Sequence, residues 1–320
     1  MNTAPENENP AEKSSQAGFS GGIDPGKARL MRLATYASVA VAMTLIIIKA
    51  WAWVMSDSIA LLSSLVDSIL DALASVVNLI AVRHALEPAD DEHRFGHGKV
   101  ESLASLAQAA FIGGSAVFLV FQAAERFIHP QPVGHGELGI LVMFASMALT
   151  LVLVLFQHHV VKKTGSVAVS TDSLHYRSDL LVNAGVILAL VAVTVFDWRV
   201  VDPLVAVLVA LYILHGAWKI FRQSYDMLMD REFPIEDRNR ISEIVLAHGD
   251  VHGLHDLRTR SSGINSFIQL HVELEGGMPL LKAHEIADEL ENWIGEAFPG
   301  ADVIIHQDPL GIAEDHPHTI

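Results

Sequence analysis

The sequence carries two pairs of potential metal ligands, and the members of each pair are one helical turn apart. Asp67 and Asp71 belong to LLSSLVDSILDALASVVNLIAV, and His175 and Asp179 belong to TDSLHYRSDLLVNAG. Residues four apart share one face of an α-helix, so two such helices can offer four ligands together. Carboxylate oxygens and imidazole nitrogens suit tetrahedral Zn²⁺ and other divalent first-row ions. The four residues are therefore predicted to form one metal cage.

The stretches around these ligands are apolar enough to cross a membrane. The chain has 320 residues, is 51% hydrophobic and only 18% charged, and has a mean hydropathy of +0.36, which is typical of a polytopic membrane protein. Acids inside membrane spans are costly and usually functional. Three packed carboxylates would repel one another unless a cation or protons held them. Lys49 in the first span could supply that charge, or its long stem could carry the ammonium to the interface.

Six stretches meet the length of about 20 apolar residues that a spanning helix needs. Lysines and arginines concentrate in the connections on one side of these spans, which predicts that both termini are cytoplasmic. The predicted spans are Leu33 to Met55, Ile59 to Leu86, Ser102 to Ile128, Leu138 to Val161, Thr171 to Phe196 and Pro203 to Phe221.

The composition changes near Asp230 to that of a soluble domain. Helical and alternating patterns follow in the order αββαβ, which predicts a small α+β domain after an all-α six-helix transmembrane domain. The predicted divisions are a flexible cytoplasmic tail at 1–29, a transport domain at 30–228, a metal-binding dimerisation domain at 229–312 and a tail at 313–320. The net charge of −16 argues against nucleic acid as a partner, and the absence of cysteine excludes thiolate metal sites.

Two further groups of histidines and acids have ligand chemistry. The loop EPADDEHRFGHGK offers Asp90, His93 and His97, and spacing alone leaves a metal site and a solvated charge run equally open. In the soluble domain, His271 is interpreted as interrupting the alternation of a core-forming strand. His306 and Asp308 are two residues apart, which places them on the same side of a strand. Sequence alone does not bring these soluble-domain residues together.

The strings LVDSILD, PADDEHRFGHGK, HYRSD, HDLRTR and IIHQDP occur in an order that resembles the cation diffusion facilitator family, especially its bacterial zinc and ferrous-iron efflux members. The resemblance covers almost the whole chain beyond the N-terminal tail. It implies a homodimer in the bacterial cytoplasmic (inner) membrane, with six spans per protomer, cytoplasmic termini and a metallochaperone-like soluble domain. It further implies alternating-access exchange of a divalent metal for protons, and hence a transporter that is not an enzyme.

The resemblance also implies roles for individual residues. Asp67, Asp71, His175 and Asp179 match the transport site, and the histidine among them points to Zn²⁺, with Fe²⁺, Cd²⁺, Co²⁺ and Mn²⁺ as other substrates. Asp90, His93 and His97 match a second site in the loop. Lys99 and Asp230 match a charge pair that holds the soluble domain to the membrane domain. A binuclear cytoplasmic site, in which the metal acts as regulator, is implied at His255, His271, His284, His306 and Asp308. The remaining histidines, His84 among them, are predicted to lie outside metal sites.

Two other functions are compatible with intramembrane ligands. One is a membrane metal sensor that does not transport. The other is an intramembrane metal-dependent hydrolase, since zinc held by carboxylates and histidine can activate water. The hydrolase is disfavoured because the sequence contains no HExxH, and because a four-ligand cage leaves no open position for water.

Overall fold

The computed structural model describes residues 24–57, 59–128, 137–196, 198 and 201–312. Residues 1–23 of the predicted N-terminal tail and the whole predicted tail at 313–320 lie outside this range. The described chain forms two compact units that meet in the sequence between Met229 and Asp230. Each unit has its own set of helices, and only the second contains a sheet among the described residues.

The first unit contains long helices joined by short connections. Most of them run well beyond the 20 or so residues that a membrane crossing needs. Among the described residues these helices are α1 (Pro25–Ser56), α2 (Ile59–Ala85), α3 (Lys99–Ile128), α4 (Glu137–Thr164), α5 (Val167–Phe196) and α6 (Val201–Leu228). The predicted all-α transmembrane domain is confirmed by these helices.

Within the described residues, five of these helices are both long and apolar enough to cross a membrane, namely α1, α2, α3, α4 and α6. The first half of α5 carries Asp172, Arg177 and Asp179 on an otherwise apolar helix. Asp179 is one of the four predicted members of the metal cage.

The burial pattern of the helical unit is inverted relative to a soluble protein. Large apolar side chains such as Ile47 and Phe121 are 65% and 69% exposed, whereas Ser38, Ser75 and Gln157 are fully buried. An exposed apolar surface of this extent is favourable only against lipid, where polar side chains gain by turning to the bundle interior. The pattern is that of a membrane-spanning helix bundle.

The second unit has the predicted αββαβ order. It consists of α7 (Ile235–Leu246), β1 (Gly253–Ser262), β2 (Asn265–Leu274), α8 (Leu280–Ala297) and β3 (Ala301–Pro309). The strand order is β1-β2-β3, with β1 antiparallel and β3 parallel to the central β2. The register sets His255, His271 and His306 side by side across the three strands.

One face of the central strand packs on the helices. Ile268, Leu270 and Val272 are essentially fully buried and belong to the same core as Leu290 and Ile294 of α8. These three positions alternate along β2, so the residues between them point to the opposite face.

The interpretation that His271 interrupts a core-forming alternation is wrong. His271 lies between the buried Leu270 and Val272 and is itself only partly buried. It therefore occupies a regular position on the polar face of β2, where it adds no polar atom to the core.

Candidate metal centres

The first candidate centre lies between α2 and α5. The imidazole Nε2 of His175 is 2.9 Å from Oδ1 of Asp71 and 3.9 Å from Oδ2 of Asp179. One ligand atom from each of these three residues lies within 4.8 Å of the other two. The side chain of His175 is 10% exposed and that of Asp71 is 21% exposed. The three side chains thus converge at an interior position that water can still reach.

The predicted fourth member, Asp67, lines the same cavity but stands outside this group of three. The cavity has a volume of about 360 Å³ and includes side chains from α1, α2, α3, α5 and α6. Asp67 is exposed at its edge, one turn before Asp71 on α2. A four-ligand arrangement would therefore require the Asp67 carboxylate to turn inward.

Lys49 faces the cavity interior, so the alternative in which its stem reaches the interface is wrong. Its Nζ donates a hydrogen bond of 2.7 Å to Oγ of Ser68 and one of 3.2 Å to the carbonyl of Ser64. Lys49 lines the cavity together with Asp67 and Asp71. A fixed positive charge therefore accompanies the carboxylates, which reduces their mutual repulsion.

A second buried carboxylate, Asp172, was missed in the sequence. It lies three residues before His175 on α5 and is 1% exposed. Its Oδ2 accepts hydrogen bonds from Oγ of Ser38 at 2.5 Å and from Nε2 of Gln157 at 2.7 Å. These contacts tie α1, α4 and α5 together. The available signal was an acid in the same polar stretch, one turn before a predicted ligand.

Glu101, near the start of α3, was also missed. It is 1% exposed, and its Oε1 accepts hydrogen bonds from the backbone N–H of Ala168 at 3.0 Å and from Oγ of Ser166. A carboxylate at a helix N-terminus satisfies otherwise unpaired N–H groups and complements the helix dipole. Glu101 therefore holds the N-terminal end of α5, the helix that carries His175 and Asp179.

The second candidate centre lies in the loop between α2 and α3. Oδ1 of Asp90 is 3.3 Å from Nδ1 of His93, and its Oδ2 is 3.3 Å from Nε2 of His97. The three residues place one ligand atom each within 4.8 Å of one another. The backbone N–H groups of His93 and Glu92 donate to Asp90 and lower the pKa of its carboxyl below the ordinary value. Asp90 thus stays ionised, as a metal ligand must.

The third candidate centre lies on the polar face of the sheet. Oδ2 of Asp308 is 2.8 Å from Nδ1 of His271 and 3.2 Å from Nε2 of His255. Its Oδ1 is 3.0 Å from Nε2 of His306, although the geometry is not that of a hydrogen bond. Asp308 is 4% exposed, so three imidazoles surround one buried carboxylate. Neutral imidazole and carboxylate are suitable zinc ligands, and these residues fit such an ion.

The fifth predicted member, His284, is not in this cluster. It lies on α8, its side chain is 65% exposed, and its Nε2 is 3.6 Å from Oδ2 of Asp288. Glu273 of β2 does approach the cluster, with Oε1 3.5 Å from Nδ1 of His255. Sequence reasoning missed Glu273, although it lies two residues from His271 on the same face of the strand.

The predicted charge pair of Lys99 and Asp230 joins residues of the two units and stays a prediction. Within the second unit, Oδ1 of Asp230 lies 3.5 Å from an Arg260 guanidinium nitrogen. Arg260 also stacks over the ring of Phe267 at 4.6 Å.

The helical membrane bundle has an interior aspartate–histidine cluster, and the soluble domain that follows has a second one. This combination defines a membrane transporter of metal cations. Comparison with known proteins identifies the family. Residues 35–229 match the cation efflux transmembrane domain, and residues 233–310 match the cytoplasmic domain of cation efflux proteins. The chain belongs to the cation efflux family. Members of this family are transporters, so the prediction that the chain is not an enzyme is confirmed and the hydrolase is excluded.

The similarity extends over nearly the full length of curated relatives. The cation-efflux pump FieF of Pectobacterium atrosepticum is 44% identical over 297 residues, which is 92% of this chain and 98% of that protein. The corresponding pump of Klebsiella pneumoniae is 45% identical over 284 residues, covering 89% and 94%. That of Yersinia pestis is 45% identical over 297 residues, covering 93% and 99%.

Proposed function

We propose that this protein is a proton-coupled antiporter that exports divalent transition-metal cations through alternating access at Asp67, Asp71, His175 and Asp179. Membership of the cation efflux family supports the direction of transport and the class of substrate. The observation that carries the site assignment is the convergence of Asp71, His175 and Asp179 on one interior position, with ligand atoms within 4.8 Å.

The geometry supports coupling to protons because two of the candidate ligands lie at hydrogen-bond distance from each other. Nε2 of His175 and Oδ1 of Asp71 are 2.9 Å apart, so a proton on either atom would form a hydrogen bond to the other. Metal ligands must be deprotonated, so a metal ion and this proton compete for the same atoms. Binding of M²⁺ therefore expels protons, and protonation expels M²⁺.

This competition produces exchange when the site opens to one side at a time. On the cytoplasmic side the deprotonated ligands capture the ion from the cell. On the opposite side protons reach His175 and the carboxylates, release the ion and are carried inward as the site returns. Lys49 remains beside the site throughout and balances part of the carboxylate charge after the metal has left.

The ligand chemistry favours Zn²⁺ as the first candidate substrate. Three carboxylates and one imidazole form a set of borderline and hard donors that suits Zn²⁺ and also accepts Fe²⁺, Co²⁺, Cd²⁺ or Mn²⁺. Affinity at such sites follows the Irving–Williams order, so the ion carried in the cell depends on availability as well as on the site.

We further propose that the cytoplasmic domain pairs with that of a second copy and senses metal. The matching cytoplasmic domain supports a homodimer. The cluster of His255, His271, His306 and Asp308 supports a regulatory metal site. His284 would join it only if α8 of either copy brought it closer. In this arrangement the protein lies in the inner membrane with both termini in the cytoplasm.

The proposed domain organisation follows the sequence prediction: a tail at 1–29, the transport domain at 30–228, the cytoplasmic domain at 229–312 and a tail at 313–320. The break between compact units at Met229 and Asp230 supports the main boundary. A Lys99–Asp230 charge pair between the domains is part of the same proposal.

The test is uptake of Zn²⁺ into proteoliposomes with the internal pH recorded at the same time. We expect Zn²⁺ movement to be accompanied by opposite proton movement, and both to be lost in Asp71→Asn. The matched control is Asp91→Asn, which removes one acid whose side chain is 95% exposed in the loop. Zn²⁺ uptake that persists in Asp71→Asn would overturn the site assignment, whereas binding without uptake in the wild type would support a non-transporting sensor.

A further inference from the structure

His84 lies beside the loop centre with its ring already oriented by a carboxylate. It belongs to the last turn of α2, and its Nδ1 is 2.6 Å from Oε2 of Glu87. Its ring centroid is 4.7 Å from that of His97. The side chain of His84 is 47% exposed, so it can adjust without repacking a core. A histidine predicted to lie outside metal sites is thus next to one.

The loop and the adjoining end of α2 therefore bring three imidazoles and one carboxylate together. The rings of His93 and His97 are 4.6 Å apart, and His97 lies between the other two rings. Asp90 contacts His93 and His97 at 3.3 Å each. Asp90, His93 and His97 supply three ligand atoms within 4.8 Å of one another, and His84 stands outside this group. A closed tetrahedral zinc site requires four ligands.

The middle ring of this row has an unsatisfied nitrogen. The side chain of His97 is 5% exposed, and its Nδ1 has no hydrogen-bond partner in the described part of the chain. Burying a polar atom without a partner is unfavourable, because the atom loses its hydrogen bonds to water. An ion bound through Nδ1 of His97 would satisfy that nitrogen while Nε2 keeps its contact with Asp90, whereas a solvated charge run leaves Nδ1 unpaired.

We propose that His84 is the fourth ligand of a closed metal site in this loop, and that Glu87 is its positioning residue. The proposal deepens the proposed function, because it rests on the loop binding metal through Asp90, His93 and His97. A metal-bound histidine usually donates its other ring N–H to a carboxylate, which fixes the tautomer. The short contact of Nδ1 with Glu87 leaves Nε2 of His84 as the nitrogen available to the ion.

A four-ligand site in this place joins the ends of two helices. His84 belongs to the end of α2, and His97 accepts the hydrogen bond from Val100 N–H that begins α3. An ion bound by both residues would link the end of α2 to the start of α3.

The test is Co²⁺ binding to the full-length protein in detergent, in a background of Asp71→Asn and His271→Gln that weakens the other two centres. Co²⁺ absorbs strongly in the visible region when it is tetrahedral and weakly when water completes a six-coordinate shell. We expect His84→Gln to convert the spectrum to the weak form and to lower the affinity more than about 100-fold. We expect Glu87→Gln to lower the affinity by roughly 10- to 100-fold, as outer-shell losses do.

Two controls separate ligand loss from general effects. His159→Gln removes an exposed histidine of α4, and Asp91→Asn removes an exposed acid of the same loop. Both are expected to keep the strong spectrum. If His84→Gln keeps the wild-type affinity and spectrum while His97→Gln loses them, the role of His84 is overturned and the three-ligand loop site stands. If the background protein binds no Co²⁺ in the loop, the role of His84 and the three-ligand loop site are both overturned. The transport assignment is then still tested separately, by Zn²⁺ uptake.

Discussion

Replacement of Lys49 by methionine tests whether a fixed charge in the cavity controls metal affinity. The Lys49 ammonium donates to Ser68 and to the Ser64 carbonyl and lines the cavity with Asp67 and Asp71. Methionine keeps most of the stem and removes the charge. A divalent ion bound at Asp71 and His175 would no longer be repelled by a neighbouring cation. We therefore expect Lys49→Met to bind metal more tightly.

The size of the effect follows from the position of the ammonium. Lys49 Nζ contacts Ser68, three residues before Asp71, and lines the same cavity as Asp71 and His175, so we take a separation of roughly 7 Å between the ammonium and the ion. At that separation a +1 and a +2 charge repel by about 5 kcal/mol with an effective dielectric constant of about 20. The cavity admits water and salt, which reduce this to roughly 1.5–3 kcal/mol. The expected gain in affinity is therefore on the order of 10- to 100-fold.

The assay is Zn²⁺ titration of the purified protein, combined with transport rates in proteoliposomes. Tighter binding to the inward site lowers KM, and slower release on the far side lowers kcat. Lys49→Arg keeps the charge and is expected to retain near wild-type affinity. Ser68→Ala removes a hydrogen bond but keeps the ammonium, and it separates loss of charge from loss of that contact.

The reasoning is refuted if Lys49→Met binds Zn²⁺ with unchanged or weaker affinity while remaining folded. It is equally refuted if Ser68→Ala reproduces the full gain, because the hydrogen bond and not the charge would then be the cause. An equal gain in Zn²⁺ affinity in Lys49→Arg, which keeps the charge, would also show that loss of charge is not the cause.

Three further predictions concern the residues around the other contacts. Asp172→Ala leaves Ser38 and Gln157 without their buried acceptor and is expected to destabilise the full-length protein by roughly 2–4 kcal/mol. Asp172→Asn is expected to cost less than about 1 kcal/mol, because its amide oxygen can still accept. Equal stability of the two variants in thermal unfolding in detergent would show that the network is unimportant. His271→Gln should abolish metal binding by the cytoplasmic centre, and His284→Gln should weaken it much less, since only the first contacts Asp308; equal losses by calorimetry would place both in one site. Partial burial and the neighbouring Asp288 raise the pKa of Glu291 above its ordinary value. Ionisation of Glu291 therefore opposes folding once the pH rises above the pKa that this carboxyl has in the unfolded chain. Glu291→Gln is therefore expected to slow hydrogen exchange of α8 amides at pH 7 by at most about fivefold and to have little effect near pH 4. A larger slowing at pH 4 than at pH 7 would contradict the predicted direction of the pKa shift.

Much of the fold follows from patterns that depend only on local sequence. Runs of about 20 apolar residues require helices in a bilayer, because a spanning segment must satisfy its own backbone hydrogen bonds. The alternation in β2 and the apolar spacing in α8 likewise predicted the αββαβ order. The positions of the helix ends were harder to predict, since α1 begins at Pro25, well before the predicted span at Leu33.

The ligand pairs were predictable for the same reason. The four-residue spacing of Asp67 with Asp71, and of His175 with Asp179, places each pair on one helix face whatever the tertiary structure is. The spacing of His306 and Asp308 on a strand acts in the same way. Local periodicity is sufficient here because both partners belong to one element.

Contacts between distant parts of the chain were decided only by the tertiary structure. Whether Lys49 faces lipid interface or cavity depends on how α1 packs against α2, and both directions are open to a long flexible side chain. In the sequence, Asp172 and Glu101 are indistinguishable from ordinary acids. Only the fold brings Ser38 and Gln157 to Asp172, and Ala168 to Glu101. Periodicity is local, so the amino-acid pattern alone was enough to predict which elements form and which of their faces carry ligands. The structure decided which faces meet, because that depends on the packing of the whole bundle and on the register that aligns His255, His271 and His306 across the sheet.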